Sequence, residues 1–206
     1  MFHPPADLTL RGVAVTLRPL RMEDAPALAE AAAESRDTYG FTAVPEGEEG
    51  ARAYIARADA MRDAGQRFAF AIEFNGRIVG STSYAGYQPW SWPMGSAMQR
   101  TDGPDVVEIG YTWLSASAQR SRCNSEAKRL LLSHAFEQWQ VHRVYLKTDA
   151  RNVRSRAAIE RLGAKLDGVI RADMPAVDGT VRDSAWYSIL AAEWPGVKAG
   201  LEARLA

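Results

Sequence analysis

Hydrophobic and polar positions change their period repeatedly along the chain, and each change predicts an element. Residues 13–20 are rich in β-branched side chains and read as a strand stopped by Pro19. Met22-Glu23-Asp24 opens an alanine-rich helix to about Ser35, with acids where the helix dipole favours them. Residues 38–50 are a loop by their Gly, Pro and acid content. Ala53, Ile55, Ala56, Ala60 and Met61 then recur at helical spacing, so residues 49–64 are a second helix. Phe68, Phe70 and Ile72 alternate into Asn75-Gly76, and Ile78, Val79 and the run from Ser81 to Tyr84 return as a hairpin. The Pro/Gly-rich stretch 88–105, with Trp90, Trp92, Met94 and Met98, is too long for an ordinary hairpin loop.

Residues 106–136 and 144–168 each read as strand, polar turn, helix. The first turn ends in Asn124-Ser125-Glu126, and the second in Asp149, Arg151 and Asn152. A strand feeding a polar helix start sets free N–H groups and a positive dipole end beside the sheet, which suits phosphate. Two such units in tandem, with arginines around both, point to a cleft for a long phosphate-bearing cofactor. Two antiparallel strands joined near Asp178-Gly179 follow, then a short amphipathic tail at 197–205. The order β-α-α-β-β-β-α-β-α-β-β indicates an α/β (α+β) protein with a mixed sheet covered by helices.

At 206 residues the chain fits a single domain, 1–206, able to bury a sizeable core. Its 25 basic and 25 acidic residues balance, which argues against a general nucleic-acid or membrane-surface binder. The single Cys123 excludes an internal disulfide framework and fits a reducing compartment. His3, His134, His142 and Cys123 form no zinc spacing, so no metal is expected. The N-terminus lacks a basic start and a long apolar run, and no segment nears the roughly 20 apolar residues of a membrane span. The expectation is a soluble, cytoplasmic protein.

The motifs VTLRPLRMEDAPAL, FNGRIVGSTSY, EIGYTWL, NSEAKRLLLSHAFE and DARNVRSRAAIERLGA, in this order, resemble the GNAT superfamily of acyl-CoA-dependent N-acetyltransferases. The nearest branch resembles the ribosomal-protein alanine N-acetyltransferases. The resemblance covers about 13–194. It implies a central sheet of about seven strands flanked by about four helices, with strands 4 and 5 splayed to admit acetyl-CoA. It further implies pantetheine bonding along Tyr111, Trp113 and Leu114, and pyrophosphate on the amides of Arg120, Ser121, Arg122, Cys123, Asn124 and Ser125. Independently, those residues offer N–H groups at a helix start, and Arg120 and Arg122 offer charge-assisted bonds. The family loop usually carries glycine where Arg122 stands. Glycine lets phosphate approach without a Cβ in the way, so Arg122 either replaces that contact with its guanidinium, weakens binding, or is simply solvated.

Acyl transfer to an amine needs a route for the ammonium proton, polarisation of the thioester carbonyl and a donor for the departing thiolate. Glu108, in the apolar run VVEIGYTW, is the candidate base, because desolvation there would raise a carboxylate's pKa. Alternation also permits it to point outward or into a structural ion pair. The strand-four amides near Trp113 are candidates to polarise the carbonyl. Asn152 and Ser155 share a helix face. By resemblance Asn152 binds cofactor and Ser155 protonates the CoA sulfur; a helix cap and a solvated residue are the plain alternatives. Tyr187 resembles the acid some GNAT enzymes use, but also suits core packing. Arg151, Arg154, Arg156 and Arg161 make the second helix basic, with Glu160 an ordinary partner for Arg156. Cys123 has no partner histidine and reads as a small loop residue, and His134 as a satisfied packing residue. Trp90 and Trp92 either wall an acceptor pocket, mediate homodimer contacts, or form a packed loop cluster.

These residues lead to the expectation of an N-acetyltransferase moving an acetyl group from acetyl-CoA to a primary amine in a ternary complex. The acceptor is a protein N-terminus or a small-molecule amine. The alternative is a catalytically weak CoA-binding module serving as a sensor or assembly partner.

Overall fold

The computed structural model describes residues 2–99 and 103–206. Part of the long tryptophan-bearing stretch, residues 100–102, lies outside that range. One eight-stranded mixed sheet runs in the order β1-β2-β3-β4-β5-β6-β8-β7. Its strands are β1 (Leu10–Arg11), β2 (Val15–Pro19), β3 (Arg67–Phe74), β4 (Arg77–Gln88), β5 (Val106–Leu114), β6 (Arg143–Asp149), β7 (Lys165–Pro175) and β8 (Val181–Leu190). The helices are α1 (Ala25–Ala33), α2 (Gly47–Asp63), α3 (Cys123–Ser133), α4 (Val153–Arg161) and α5 (Trp194–Leu205). Every neighbouring pair of strands is antiparallel except β5 and β6, which the α3 crossover makes parallel.

Alternation along β3 explains the two-sided burial of the sheet. Phe68, Phe70 and Ile72 enter the larger core with α3 and α5, whereas Ala69 and Ala71 face the smaller core with Leu28 of α1 and Ile55 of α2. Alanines on the second face let α1 and α2 approach closely, while the phenylalanines fill the deeper side. Each large side chain so buried contributes about 1.5–3 kcal/mol. The β3–β4 hairpin turns at Asn75 and Gly76, both with positive φ (50° and 78°), as a tight two-residue turn requires.

Three details depart from the expected architecture. The sheet has eight strands rather than about seven, because the short β1 adds an edge to β2. Among the described residues there are five α-helices rather than about four. The tail folds as α5, burying Trp194 and Leu201 against α3, so packing extends past residue 194. Finally, α3 runs directly into a π turn, His134–Gln138, which tucks Ala135 and Phe136 into the core. His134 packs edge-on against Trp139, as a packing residue would, while its buried Nε2 has no partner among the described residues.

Candidate active site

β5 and β6 pair through Val106–Arg143, Val107–Val144 and Glu108–Tyr145, and then part, although β5 continues to Leu114 and β6 to Asp149. The cause lies in β5. Between the pairs Ser83–Gly110 and Ser81–Trp113 the register slips, and Tyr111 takes a left-handed conformation at φ 54°. This bulge bends the strand away from β6. On the β6 side, residues 109–114 therefore present strand edge without a ladder partner, the kind of edge that an extended amide-bearing ligand can pair with.

The wide end of this opening meets two helix starts. In the loop ahead of α3, Ser121 Oγ donates to the Ala118 carbonyl and accepts from the Cys123 N–H at 3.1 Å. Among the described residues, the Asn124 and Ser125 N–H groups have no acceptor. Arg120 is exposed, with a positive φ of 57° and no hydrogen bond or ion pair among those residues. Arg154, in the first turn of α4, donates to Gln119 Oε1 at 3.0 Å, which ties the α4 start to the α3 loop. Asn152 caps α4 by accepting the Ser155 N–H at 3.0 Å. The half-buried Ser155 hydroxyl has no partner among the described residues.

Arg122 is oriented otherwise than a phosphate-gripping guanidinium would be. Its Nη2 donates to the Leu205 carbonyl at 3.1 Å, and its Nε lies 3.5 Å from Glu126 Oε2. Glu126 is itself buried, and its other oxygen accepts from the backbone N–H groups of Val13, Ala14 and Val15. Cys123 is fully buried, and desolvation pushes its thiol up to about 12, so it stays protonated. Leu114 uses its carbonyl to accept from Tyr39 Oη at 2.8 Å and Gln119 Nε2 at 3.0 Å. Trp113 packs edge-on with Tyr39, its buried indole N–H without a partner among the described residues.

Glu108 stands at the last paired position before the strands diverge and is only 6% exposed. Its Oε2 lies 3.5 Å from Lys147 Nζ. The Tyr145 phenol is pushed well above its usual range, first by burial and then by the neighbouring Glu108 carboxylate. Trp186 stacks on Tyr145 at 5.0 Å, and Lys147 Nζ sits 5.0 Å over the indole. The pocket around this carboxylate is thus aromatic and cationic rather than purely apolar.

Tyr187 occupies the opposite face of β8 from Trp186. Its buried hydroxyl donates to Glu160 and accepts from Arg156, both at 2.9 Å. Arg156 and Glu160 are therefore bridged by Tyr187 rather than paired directly as expected. Trp90 and Trp92 sit at the closed end of the strand pair: the Trp90 N–H and Trp92 Nε1 bind the Asp105 carboxylate, and Trp90 stacks on His142. Their rings form the packed loop cluster that was one of the sequence alternatives.

The sequence reading singled out none of Tyr145, Lys147, Trp186, Tyr54, Arg67 or Lys128. Tyr145 and Lys147 lie two apart on one face of β6, and only pairing with β5 brings that face to Glu108. Lys128, in α3, is buried and donates to Thr112 Oγ1 at 2.6 Å and Thr82 Oγ1 at 3.3 Å. Desolvation pulls its pKa down to about 7.

Among the described residues, no group of three or more His, Cys, Asp or Glu is assembled for a metal, and no helix is long and apolar enough to cross a membrane. The parted strands and the free N–H groups at α3 fit a pantetheine arm and a pyrophosphate.

Residues 14–165 match the Acetyltransferase (GNAT) domain model. YdaF of Bacillus subtilis (strain 168), assigned as a ribosomal N-acetyltransferase, is 36% identical over 92 residues, covering 45% of this chain and 49% of that protein. The chain thus spans about half the length of this curated relative. A solved T. thermophilus protein, assigned as an acetyltransferase, superposes with TM-score 0.80 at 35% identity over 100% of both chains. Mycobacterium smegmatis RimJ, solved with CoA-disulfide, shares the fold with TM-score 0.75 at 24% identity, covering 98% of this chain and 97% of that one. With its strands opened beside Glu108 and its family domain matched over most of its length, the chain belongs to the GNAT acetyltransferase family, which transfers acetyl groups from acetyl-CoA.

Proposed function

We propose that the protein acetylates a primary amine, a protein N-terminus or a small-molecule amine, by direct attack on acetyl-CoA in a ternary complex. The observation that carries this reading is the divergence of β5 and β6 immediately past the buried Glu108. Acetyl-CoA supplies the thioester. Residues 109–114 bind its pantetheine arm, with the N–H groups near Trp113 polarising the carbonyl. The α3 start and Arg120 hold the pyrophosphate, and the Asn152 amide nitrogen, left free by its capping role, serves the cofactor beside them.

Glu108 takes the ammonium proton, directly or through water, and leaves a neutral nucleophile. Nitrogen bonds to the acetyl carbon and the carbon–sulfur bond breaks. The second nitrogen proton ends on the thiolate, relayed by the Ser155 hydroxyl. Net release is one proton, the one Glu108 passes on to solvent.

A CoA-binding module without turnover rests on Arg122 standing where the family has glycine. With its guanidinium turned to Glu126 and Leu205, only the Arg122 Cβ bears on a phosphate. The buried lone Cys123 supports a reducing, cytoplasmic setting. The half-exposed Trp90 and exposed Met94 and Met98 are where a homodimer contact would form.

The test combines calorimetric titration with acetyl-CoA and thiol release over a panel of amines and N-terminal peptides. Acetyl transfer is expected for at least one acceptor, and Glu108→Gln should lower its kcat/KM by about 10²-fold or more with little change in acetyl-CoA affinity. Tight binding with no release above background on any acceptor would instead establish the module.

A further inference from the structure

The face of the sheet that carries Glu108 also carries a buried cation that has no counter-charge among the described residues. Every buried carboxylate among the described residues has a basic side chain within 4 Å: Asp24 has Arg18, Asp105 has the His142 imidazole, Glu108 has Lys147, Glu126 has Arg122 and Asp149 has Arg151. Among the same residues, the buried Arg67 and Lys128 have no carboxylate within 4 Å. Lys128 can discard its charge, since its pKa has fallen to about 7. Arg67 cannot, because a guanidinium keeps its proton in proteins.

Arg67 is only 3% exposed. Its Nε donates to Ser83 Oγ at 2.8 Å and its Nη2 to Tyr54 Oη at 2.7 Å, both neutral acceptors. Its Cζ lies 4.0 Å from the centre of the Tyr111 ring and 5.1 Å from that of Tyr54. Among the described residues, no acceptor is assigned to Nη1. Burying a permanent charge against neutral groups alone is costly, and a nearby anion would offset that cost.

Register places this cation relative to the candidate base. Arg67 pairs with Ala85, and Ala85 pairs with Glu108, so the three occupy one row across β3, β4 and β5 on the same face. The two outer backbones are two strand spacings apart, about 10 Å. Between them stands the small, buried Ala85. The half-exposed Tyr111, where β5 bulges, lays its ring against the guanidinium. Arg57 of α2, exposed and without a carboxylate partner within 4 Å among the described residues, adds positive charge near the Tyr111 hydroxyl.

We infer that Arg67, oriented by Tyr54 and Ser83 and floored by Tyr111, is an anion-recognition site that selects amine acceptors carrying a carboxylate. Resting on the acetyl-transfer reading, this inference names the acceptor class. The amine reaches Glu108 while the carboxylate takes the free edge of the guanidinium. A separation of two strands suits a peptide N-terminus with Asp or Glu at an early position, or an amino acid whose amine and carboxylate are well separated.

The test is calorimetric binding to the full protein saturated with free CoA, so that no transfer occurs. The probes are two matched pairs: Ala-Asp-Ala-Ala-amide against Ala-Asn-Ala-Ala-amide, and γ-aminobutyrate against its amide. The acidic member of at least one pair should bind tenfold or more tightly, and the discriminating pair identifies peptide or small-molecule acceptors. Arg67→Gln should reduce that preference to under twofold, with Arg67→Lys restoring part of it. Should the buried substitutions prevent folding, Tyr54→Phe carries the test, with a three- to tenfold loss confined to the acidic member. Equal binding within twofold in both pairs, or no binding of any probe, overturns the anion site. Turnover assayed separately with acetyl-CoA keeps the two ideas apart. Preference without transfer of any probe counts against acetylation of these amines and leaves the anion site standing. Transfer without preference refutes the site alone.

Discussion

Lys147 Nζ lies 3.5 Å from Glu108 Oε2, joining β6 to β5 at the last position where the two strands still pair. The ion pair therefore sits at the apex of the opening, where it sets the carboxylate's position and helps hold the two strands at a fixed divergence. Lys147→Met leaves the buried Glu108 carboxylate without its cation. We expect unfolding in urea to show a loss of about 1–3 kcal/mol, and kcat/KM to fall with it.

Gly86 provides a second way to disturb the same apex. It has φ 56°, and a Cβ there would run into the Tyr145 hydroxyl. Gly86→Ala combines backbone strain with displacement of that phenol from Glu108. The expected result is a fall in thermal midpoint, with a loss of about 1–3 kcal/mol; an unchanged midpoint would mean the phenol has room to move.

The two arginines of the α3 loop should behave differently. Among the described residues Arg120 has no partner and lies beside free helix N–H groups, whereas Arg122 is engaged by Glu126 and Leu205. Arg120→Ala should weaken CoA binding about fivefold to tenfold at low salt, with the difference shrinking as salt rises. Arg122→Ala should change CoA affinity less than twofold. Titration calorimetry of both variants checks the contrast.

Lys128 makes stability depend on pH. Its folded-state pKa is about 7, against 10.5 for the free side chain. Between those values the unfolded chain binds the extra proton, so stability rises with pH across that window, by at most about 1.4 kcal/mol per pH unit. Below about pH 7 the full cost of burying the charge applies. Lys128→Met removes the charge while Thr82 and Thr112 keep their mutual hydrogen bond at 2.7 Å. Denaturation from pH 6 to 10 should show a flatter profile for the variant and its largest relative gain at the acid end.

Glu126 accepts from three successive backbone N–H groups ahead of and within β2. Glu126→Gln exchanges a charged acceptor for a neutral amide whose nitrogen would face donors. Destabilisation of about 1–3 kcal/mol is expected in denaturant titration. Gly12→Ala should have a similar effect, because its Cβ would overlap the Glu126 carboxylate.

Local chemistry made much of this fold legible. Asn75-Gly76 specified its turn, Asn152 its cap, and the tandem strand–helix units their order, because each depends on residues close in sequence. The expected divergence beside Glu108 came from family resemblance rather than from periodicity. What alternation could not supply was the bulge at Tyr111. Backbone there adopts a positive φ with a non-glycine side chain, and no sequence rule demanded it. The same limit applies to Tyr187 and Trp186, adjacent in sequence but on opposite faces: only the register of β8 against β6 shows which of them joins Tyr145. Arg122 was ambiguous because its partners, Glu126 and Leu205, reach it through helical geometry and a packed C-terminal helix. Lys128 was hidden for a related reason. A lysine on an amphipathic helix reads as solvated unless hydroxyls from two other strands are known to meet it.

A sheet whose middle stands open has two raw internal borders in addition to its outer rims. Without cofactor, those borders offer a docking place for any stray extended segment, including one from a neighbouring molecule. The ligand-free form should therefore be the one prone to clumping during purification, and CoA in the lysis buffer should improve recovery by covering what the fold itself leaves bare.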